Sequence, residues 1–257
     1  MQAHVWLARR DSADPAGLSP RELLRRNKYQ QEDDRERFTT GATLARYALR
    51  RLTMDQSAEV HRECPECKAQ DHGPVGAAGA HAGEWSLSVS HSGDLVAVAI
   101  VPGPEAVGVD VEVADLETIN RVRRLLCRDD ELAEDLAAPD LHEALLVRWV
   151  RKEAILKAAR IGLGVPMRHL RVSSSAEPAA LLSWSERSVP DGFNARHVVC
   201  EDLPPEVLAA GDDRSRGAIA VRGTSELSVR LHWVGAELAA VRAHDTSPAT
   251  ELVGCTG

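Results

Sequence analysis

The stretch Val107-Gly108-Val109-Asp110-Val111-Glu112-Val113 alternates with period two, valines on one side and Gly108, Asp110 and Glu112 on the other. That alternation predicts a β-strand over 107–113 with two carboxylates on one face. Taken alone, it reads as a half-buried strand whose polar face meets solvent. The second informative stretch is Arg148-Trp149-Val150-Arg151-Lys152-Glu153-Ala154-Ile155-Leu156-Lys157-Ala158. It falls in a helix predicted from about Leu141 to Arg160, with Leu141, Leu145, Trp149 and Leu156 as the apolar stripe and Gly162, Gly164 and Pro166 as the stop. Glu153 and Lys157 are four apart and share a face, the spacing of an ordinary helix-stabilising ion pair. Trp149 lies on that same face, and Lys152 and Arg151 add positive charge beside it. A third carboxylate with a lysine is what a pyrophosphate and its divalent cation require.

Upstream, Trp85–Val89 and Leu95–Val101 read as two strands around a turn containing Ser92, Gly93 and Asp94, and Pro102, Gly103 and Pro104 stop the second. Ser90-His91-Ser92, placed at that turn, offers hydroxyls and an imidazole to phosphate oxygens. Adjacent Ser90 and His91 do not form a hydrolase triad, and no Gly-x-Ser-x-Gly elbow is present. Between Asp33 and Leu52, the spacing of Phe38, Ala42, Ala45, Leu49 and Leu52 predicts an amphipathic helix capped by Asp33 or Asp34. Its other face carries Arg35, Arg37, Arg46, Arg50 and Arg51.

Gly73 to Gly83, rich in Gly and Ala without periodicity, reads as a loop. Cys64-Pro65-Glu66-Cys67 has the spacing of a zinc knuckle, with His61 and His72 as further donors, or is a pair of unligated thiols in a turn. Val229–Val234 and Glu237–Val241 are strand candidates in the tail. No sequence repeat is visible, although helix followed by strands recurs in both halves. A boundary at Pro102–Pro104 divides the chain into an N-terminal part, 1–104, and a C-terminal part, 105–257.

The chain has 257 residues, 31 basic against 39 acidic, for a net charge of -8. That balance argues against a dedicated nucleic-acid binder, so any anionic ligand must meet local positive charge. No apolar run reaches the length of a membrane span, and Met1 to Arg10 lacks the long apolar stretch of a secretory signal. A cytoplasmic protein with no membrane partner is expected. Its five cysteines are expected to be reduced thiols.

Taken together and in this order, these pieces resemble the Sfp-type 4'-phosphopantetheinyl transferases, the larger carrier-activating enzymes of polyketide and non-ribosomal peptide biosynthesis. The resemblance spans Ser19 to Pro166 and rests on Val107-Gly108-Val109-Asp110-Val111-Glu112 and on Trp149-x-x-Lys152-Glu153-x-x-x-Lys157-Ala158. Ser88-Val89-Ser90-His91-Ser92 and the helix with Arg37, Gly41 and Arg46 support it. It implies an α+β fold of two similar subdomains related by pseudo-twofold symmetry, with coenzyme A in the cleft between them. The implied reaction moves 4'-phosphopantetheine from coenzyme A to a serine of an acyl or peptidyl carrier protein and releases adenosine 3',5'-bisphosphate.

By the same resemblance Asp110, Glu112 and Glu153 bind Mg2+, and Lys157 and His91 contact the pyrophosphate; the reaction also needs a base for the serine proton, and Glu153, alone or through a metal-bound water, is the best-placed candidate. Arg25 or Arg26 meets the 3'-phosphate, and Arg37, Ser90 and Lys152 complete the coenzyme-binding set. Arg121, Arg123 and Arg124 would form a basic rim for an acidic carrier. A single pseudo-dimeric chain is expected to be a monomer. The sequence departs from the family at His72-Gly73-Pro74-Val75, where many members carry His-Gly-Lys-Pro. Two rival readings are a catalytically degenerate relative that binds carrier or coenzyme A without turnover, and a phosphohydrolase using the same carboxylates.

Overall fold

The computed structural model describes residues 1–243 except 65–66, 70–72, 114, 162–163, 191–192, 194–196 and 210–212. The fold is mixed α+β, and the chain divides into two compact units, Gln2–Pro104 with the segment from Val229, and Glu105–Ser228. The tail after Ser228 therefore packs with the first unit, not with the second as read from the sequence, because its strand adds beside the first strand of the chain.

In the first unit a sheet ordered β11-β1-β5-β4-β3-β2 is built from β1 (Gln2–Arg9), β2 (Val60–Arg62), β3 (Val75–Ala77), β4 (Trp85–Ser92), β5 (Leu95–Pro102) and β11 (Ser228–Trp233). Helix α1 (Pro20–Arg26) opens with a Ser19–Glu22 capping box, and α2 (Glu32–Thr53) lies on the sheet. Leu44, Ala45, Ala48 and Leu49 of α2 pack against Trp6, Leu87, Val96, Val98 and Ile100. A Cβ on Gly41 would sit 3.2 Å from Val89, so α2 approaches β4 closely at that glycine.

Several readings change here. The predicted cap of α2 is replaced by Gln31, and Asp33 and Asp34 fall in its acidic first turn, where carboxylates favour the positive helix end. Arg46 and Arg50 do not lie on a solvated face. Arg46 is 1% exposed and donates to Glu22 at 2.8 Å and Glu59 at 2.7 Å, while Arg50 meets Glu59 and the Ala58 carbonyl. Part of the predicted Gly73–Gly83 loop is β3, which pairs with β2 and β4. Ser90-His91-Ser92 belongs to β4, and the turn is Gly93-Asp94, with Gly93 at φ 55°. The second tail strand is a 3-10 turn over Ala236–Ala240, whose Leu238 enters the core.

The second unit contains β6 (Ala106–Glu112), α3 (Leu116–Leu126), α4 (Asp129–Leu136), α5 (Leu141–Ala158), β7 (Leu170–Val172), β8 (Leu181–Trp184), β9 (Val198–Asp202), α6 (Pro205–Leu208) and β10 (Arg216–Arg222). Strands β6, β10 and β9 form one antiparallel sheet, and β7 pairs with β8. Asp140 caps α5 by accepting from the Glu143 amide at 3.0 Å. The helix stops at Ala158, and Arg160 then turns left-handed at φ 59°. Gly162 lies outside the described residues. Among the described residues no helix is long and apolar enough to cross a membrane.

Candidate active site

Antiparallel register sets Asp110 of β6 opposite Ala218 of β10, with Asp202 of β9 beyond it, and sets Gly108 opposite Ala220, with Cys200 beyond. This file of small side chains leaves a shallow seam for a helix. Helix α5 lies in that seam, its Val150, Ala154, Ile155 and Ala158 packed with Cys200, Ala218 and Ala220. The approach is closest at Gly108, where a Cβ would stand 2.0 Å from the Ala154 carbonyl oxygen and 2.6 Å from the Ala158 amide nitrogen. Only hydrogen fits between strand and helix backbones there.

The polar side of β6 therefore faces α5, not solvent, which corrects the simplest reading of the alternation. Asp110 is 2% exposed. The Lys157 ammonium donates to its Oδ1 at 2.7 Å and to the Val109 carbonyl at 3.1 Å. One turn earlier on α5, half-buried Glu153 has its carboxyl pushed up to about 7, first by burial and then by the Asp110 charge, against the pull of Lys157. Two carboxylates thus compete for one ammonium in a poorly hydrated seam.

Glu112 stands at the partly exposed end of β6. Among the described residues no three His, Cys, Asp or Glu side chains are gathered closely enough to hold a metal ion. Asp110, Glu112 and Glu153 are consequently not a preformed three-carboxylate cage, and Asp110 with Glu153 is the coupled pair. That pair still fits a hard divalent cation, because magnesium is commonly held by one or two carboxylates and completes its shell with waters and phosphate oxygens.

Lys152 departs from its assignment as a coenzyme ligand. It is 0% exposed, and its ammonium donates to Glu131 at 2.5 Å and to the Leu126 carbonyl at 2.9 Å. Burial pulls its pKa below the ordinary value, against the attraction of Glu131. Arg151 is also internal, forked onto Asp202 at 2.8 and 2.6 Å, so neither cation is available to a phosphate. The reason is geometric: residues 151 and 152 project from the side of α5 away from Glu153.

In the first unit, a cavity of about 160 Å³ is lined by Arg21, Arg25, Phe38, Arg46, His61 and Arg62, among others. The Arg25 guanidinium lies 5.4 Å from the centroid of the Phe38 ring. Burial and then the neighbouring Arg25 charge bring the Arg62 guanidinium down to about 10, against the pull of Tyr29 and of Glu22, which lines the same cavity together with Glu59. Arg26 turns away to Thr39 at 3.1 Å and Glu32 at 2.6 Å. Arg37 donates to the Gly93 carbonyl at 2.8 Å and to Asp34 at 2.6 Å, which braces the β4–β5 turn. Ser90 is buried, while His91, the next residue on β4, is exposed.

Arg62 escaped sequence reasoning because a three-residue strand carries no periodic signal. The role of Gly108 was visible in principle, since an isolated glycine inside a strand pattern marks a close backbone approach. Of the cysteine motif, Cys64 is partly buried and Cys67 exposed, whereas Pro65, Glu66 and His72 lie outside the described residues.

A buried carboxylate, a second carboxyl held near neutrality and a lysine, mounted on an abutting strand and helix, are parts suited to chemistry on a phosphate ester. Residues 106–206, from β6 into α6, match the model of the 4'-phosphopantetheinyl transferase superfamily. The chain shows this family resemblance over less than half its length, and the match supports phosphopantetheine transfer as the general activity. The family takes coenzyme A as substrate, typically with a divalent metal. No curated protein matches the chain.

Proposed function

We propose that the chain is an Sfp-type, magnesium-dependent transferase that moves 4'-phosphopantetheine from coenzyme A to a serine of an acyl or peptidyl carrier protein. The observation that carries this reading is the Asp110–Lys157–Glu153 group inside the family-matched segment. Asp110 and Glu153 would hold Mg2+, with Glu112 at the edge of the site. When bound, the cation neutralises pyrophosphate charge.

Lys157 then has a phosphate oxygen as an alternative to Asp110, and stabilises charge that develops there. The serine oxygen bonds to the β-phosphorus, the bond from that phosphorus to the leaving adenosine bisphosphate breaks, and Glu153 accepts the serine proton. In the metal-free protein burial and the Asp110 charge push the Glu153 carboxyl up to about 7, and Glu153 is the carboxyl beside Lys157 assigned to accept that proton. Exposed Arg121 and Arg124, with partly buried Arg123, are offered on α3 as the docking rim for an acidic carrier.

Incubating the protein with coenzyme A, Mg2+ and an apo carrier should add the mass of the phosphopantetheine arm to the carrier. Unchanged mass across several carriers, with coenzyme A still bound, would favour the non-catalytic binder. Release of adenosine bisphosphate without carrier would favour the hydrolase.

For the 3'-phosphate, the cavity favours Arg25 over Arg26, because Arg25 lines it while Arg26 is tied to Thr39 and Glu32. Arg25→Ala is expected to raise KM for coenzyme A roughly 10-fold, the value of one charge-assisted hydrogen bond. Arg26→Ala should leave it within about twofold. Steady-state kinetics with varied coenzyme A decide between them, and the reverse order would reject Arg25.

A further inference from the structure

The three buried cations of α5 share one side of the helix. At about 100° per residue, Arg148, Arg151 and Lys152 fall within roughly one third of the circumference, and Glu153 and Lys157 centre on the opposite side. Glu131 of α4 is 0% exposed and gathers four donors. Its Oε1 accepts from Arg148 at 3.0 Å and from the Val172 amide at 3.0 Å. Its Oε2 accepts from Lys152 at 2.5 Å and from the Arg128 amide at 2.9 Å.

Asp135 adds a fork onto Arg148, with 2.6 Å to Nε and 2.6 Å to the second guanidinium nitrogen. Arg151 is tied to Asp202 on β9 and to the carbonyls of Ser173, Ser174 and Glu177. Rotating α5 by a fraction of a turn would break several charge-assisted bonds in a site without water to replace them. Sliding it would break the same set.

From this geometry we infer that Glu131 and Lys152 are positioning residues: the buried clamp sets the roll of α5 and thereby the aim of Glu153 and Lys157 at Asp110. The inference rests on the transferase reading above. It assigns Lys152 a role through its neighbour in the chain, without contact to coenzyme A.

The test is the double variant Glu131→Gln/Lys152→Met beside the wild-type protein, since removing both charges of a buried pair is tolerated far better than removing one. The expected result is a retained cooperative melting transition, kcat for carrier modification lowered at least ~10-fold, and KM for coenzyme A within about threefold, as misaimed groups lose rate before affinity. A folded double variant with kcat within about twofold of wild type would overturn the clamp. So would a KM for coenzyme A that rises while kcat holds, because that pattern marks Lys152 as a ligand contact. Where the double variant does not melt cooperatively, Glu131→Asp, which keeps the buried charge and shortens the arm that reaches α5, is measured against the same two outcomes. Wild-type protein that modifies no carrier counts against the transferase reading and not against the clamp.

Discussion

Gly108→Ala is expected to cost at least ~3 kcal/mol of stability, at the upper end for overpacking, and to abolish activity in whatever fraction folds. The added methyl would lie 2.0 Å from the Ala154 carbonyl oxygen, 2.6 Å from the Ala158 nitrogen and 2.8 Å from the Lys157 Cβ. Two of those are backbone atoms that no rotamer change can move. Relief requires α5 to lift from β6, which opens the Val150–Ala154–Ala158 seam and carries Lys157 away from Asp110. Denaturant unfolding checks the magnitude. As a control, Gly164→Ala, where a Cβ meets nothing within 4 Å, should be within about 0.5 kcal/mol of wild type. A Gly108→Ala protein as stable as that control would show that the seam is looser than described.

Glu153→Gln should separate stability from function in opposite directions. The folded protein holds the Glu153 proton up to about 7, above the usual carboxylate value of 4.5. Between those values the native state binds more protons than the unfolded state, so wild-type stability falls as pH rises through that window. The neutral amide removes both the buried charge and its repulsion with Asp110. In metal-free buffer Glu153→Gln is therefore expected to melt a few degrees above wild type at pH 8 and close to it at pH 5. Carrier modification should nevertheless fall by ~10³ or more, since the proton acceptor and one metal donor are gone. Melting curves at the two pH values and the carrier mass shift are the measurements. Wild-type transfer by this variant would remove Glu153 from the site.

The strand over 107–113, the helix from Leu141 and the β4–β5 hairpin were legible because their patterns are local: alternation, i,i+4 spacing and a glycine turn. The order of those pieces also sufficed to suggest the family. The cations were not legible in the same way. Arg46, Arg151 and Lys152 read as outer-face or ligand-facing charge, because a charged residue in a helix is ordinarily exposed, and Arg148 drew no separate expectation. Each is buried on a carboxylate distant in sequence, Glu22, Glu59, Glu131, Asp135 or Asp202, and no spacing along one helix reveals that partner.

By itself, the sequence determined which residue types stand ready for the chemistry: two carboxylates two apart on a strand, and a carboxylate and lysine four apart on a helix. Tertiary structure alone decided that Asp110 of the first pair meets both members of the second, and how. Gly108, Ala218 and Ala220 admit the helix backbone, so that the polar side of the strand becomes a buried wall where Lys157 neutralises Asp110 and Glu153 is held near neutrality. A carboxylate's proton affinity depends on the water and charge around it, and those were set by a helix contributed by residues more than thirty positions along the chain.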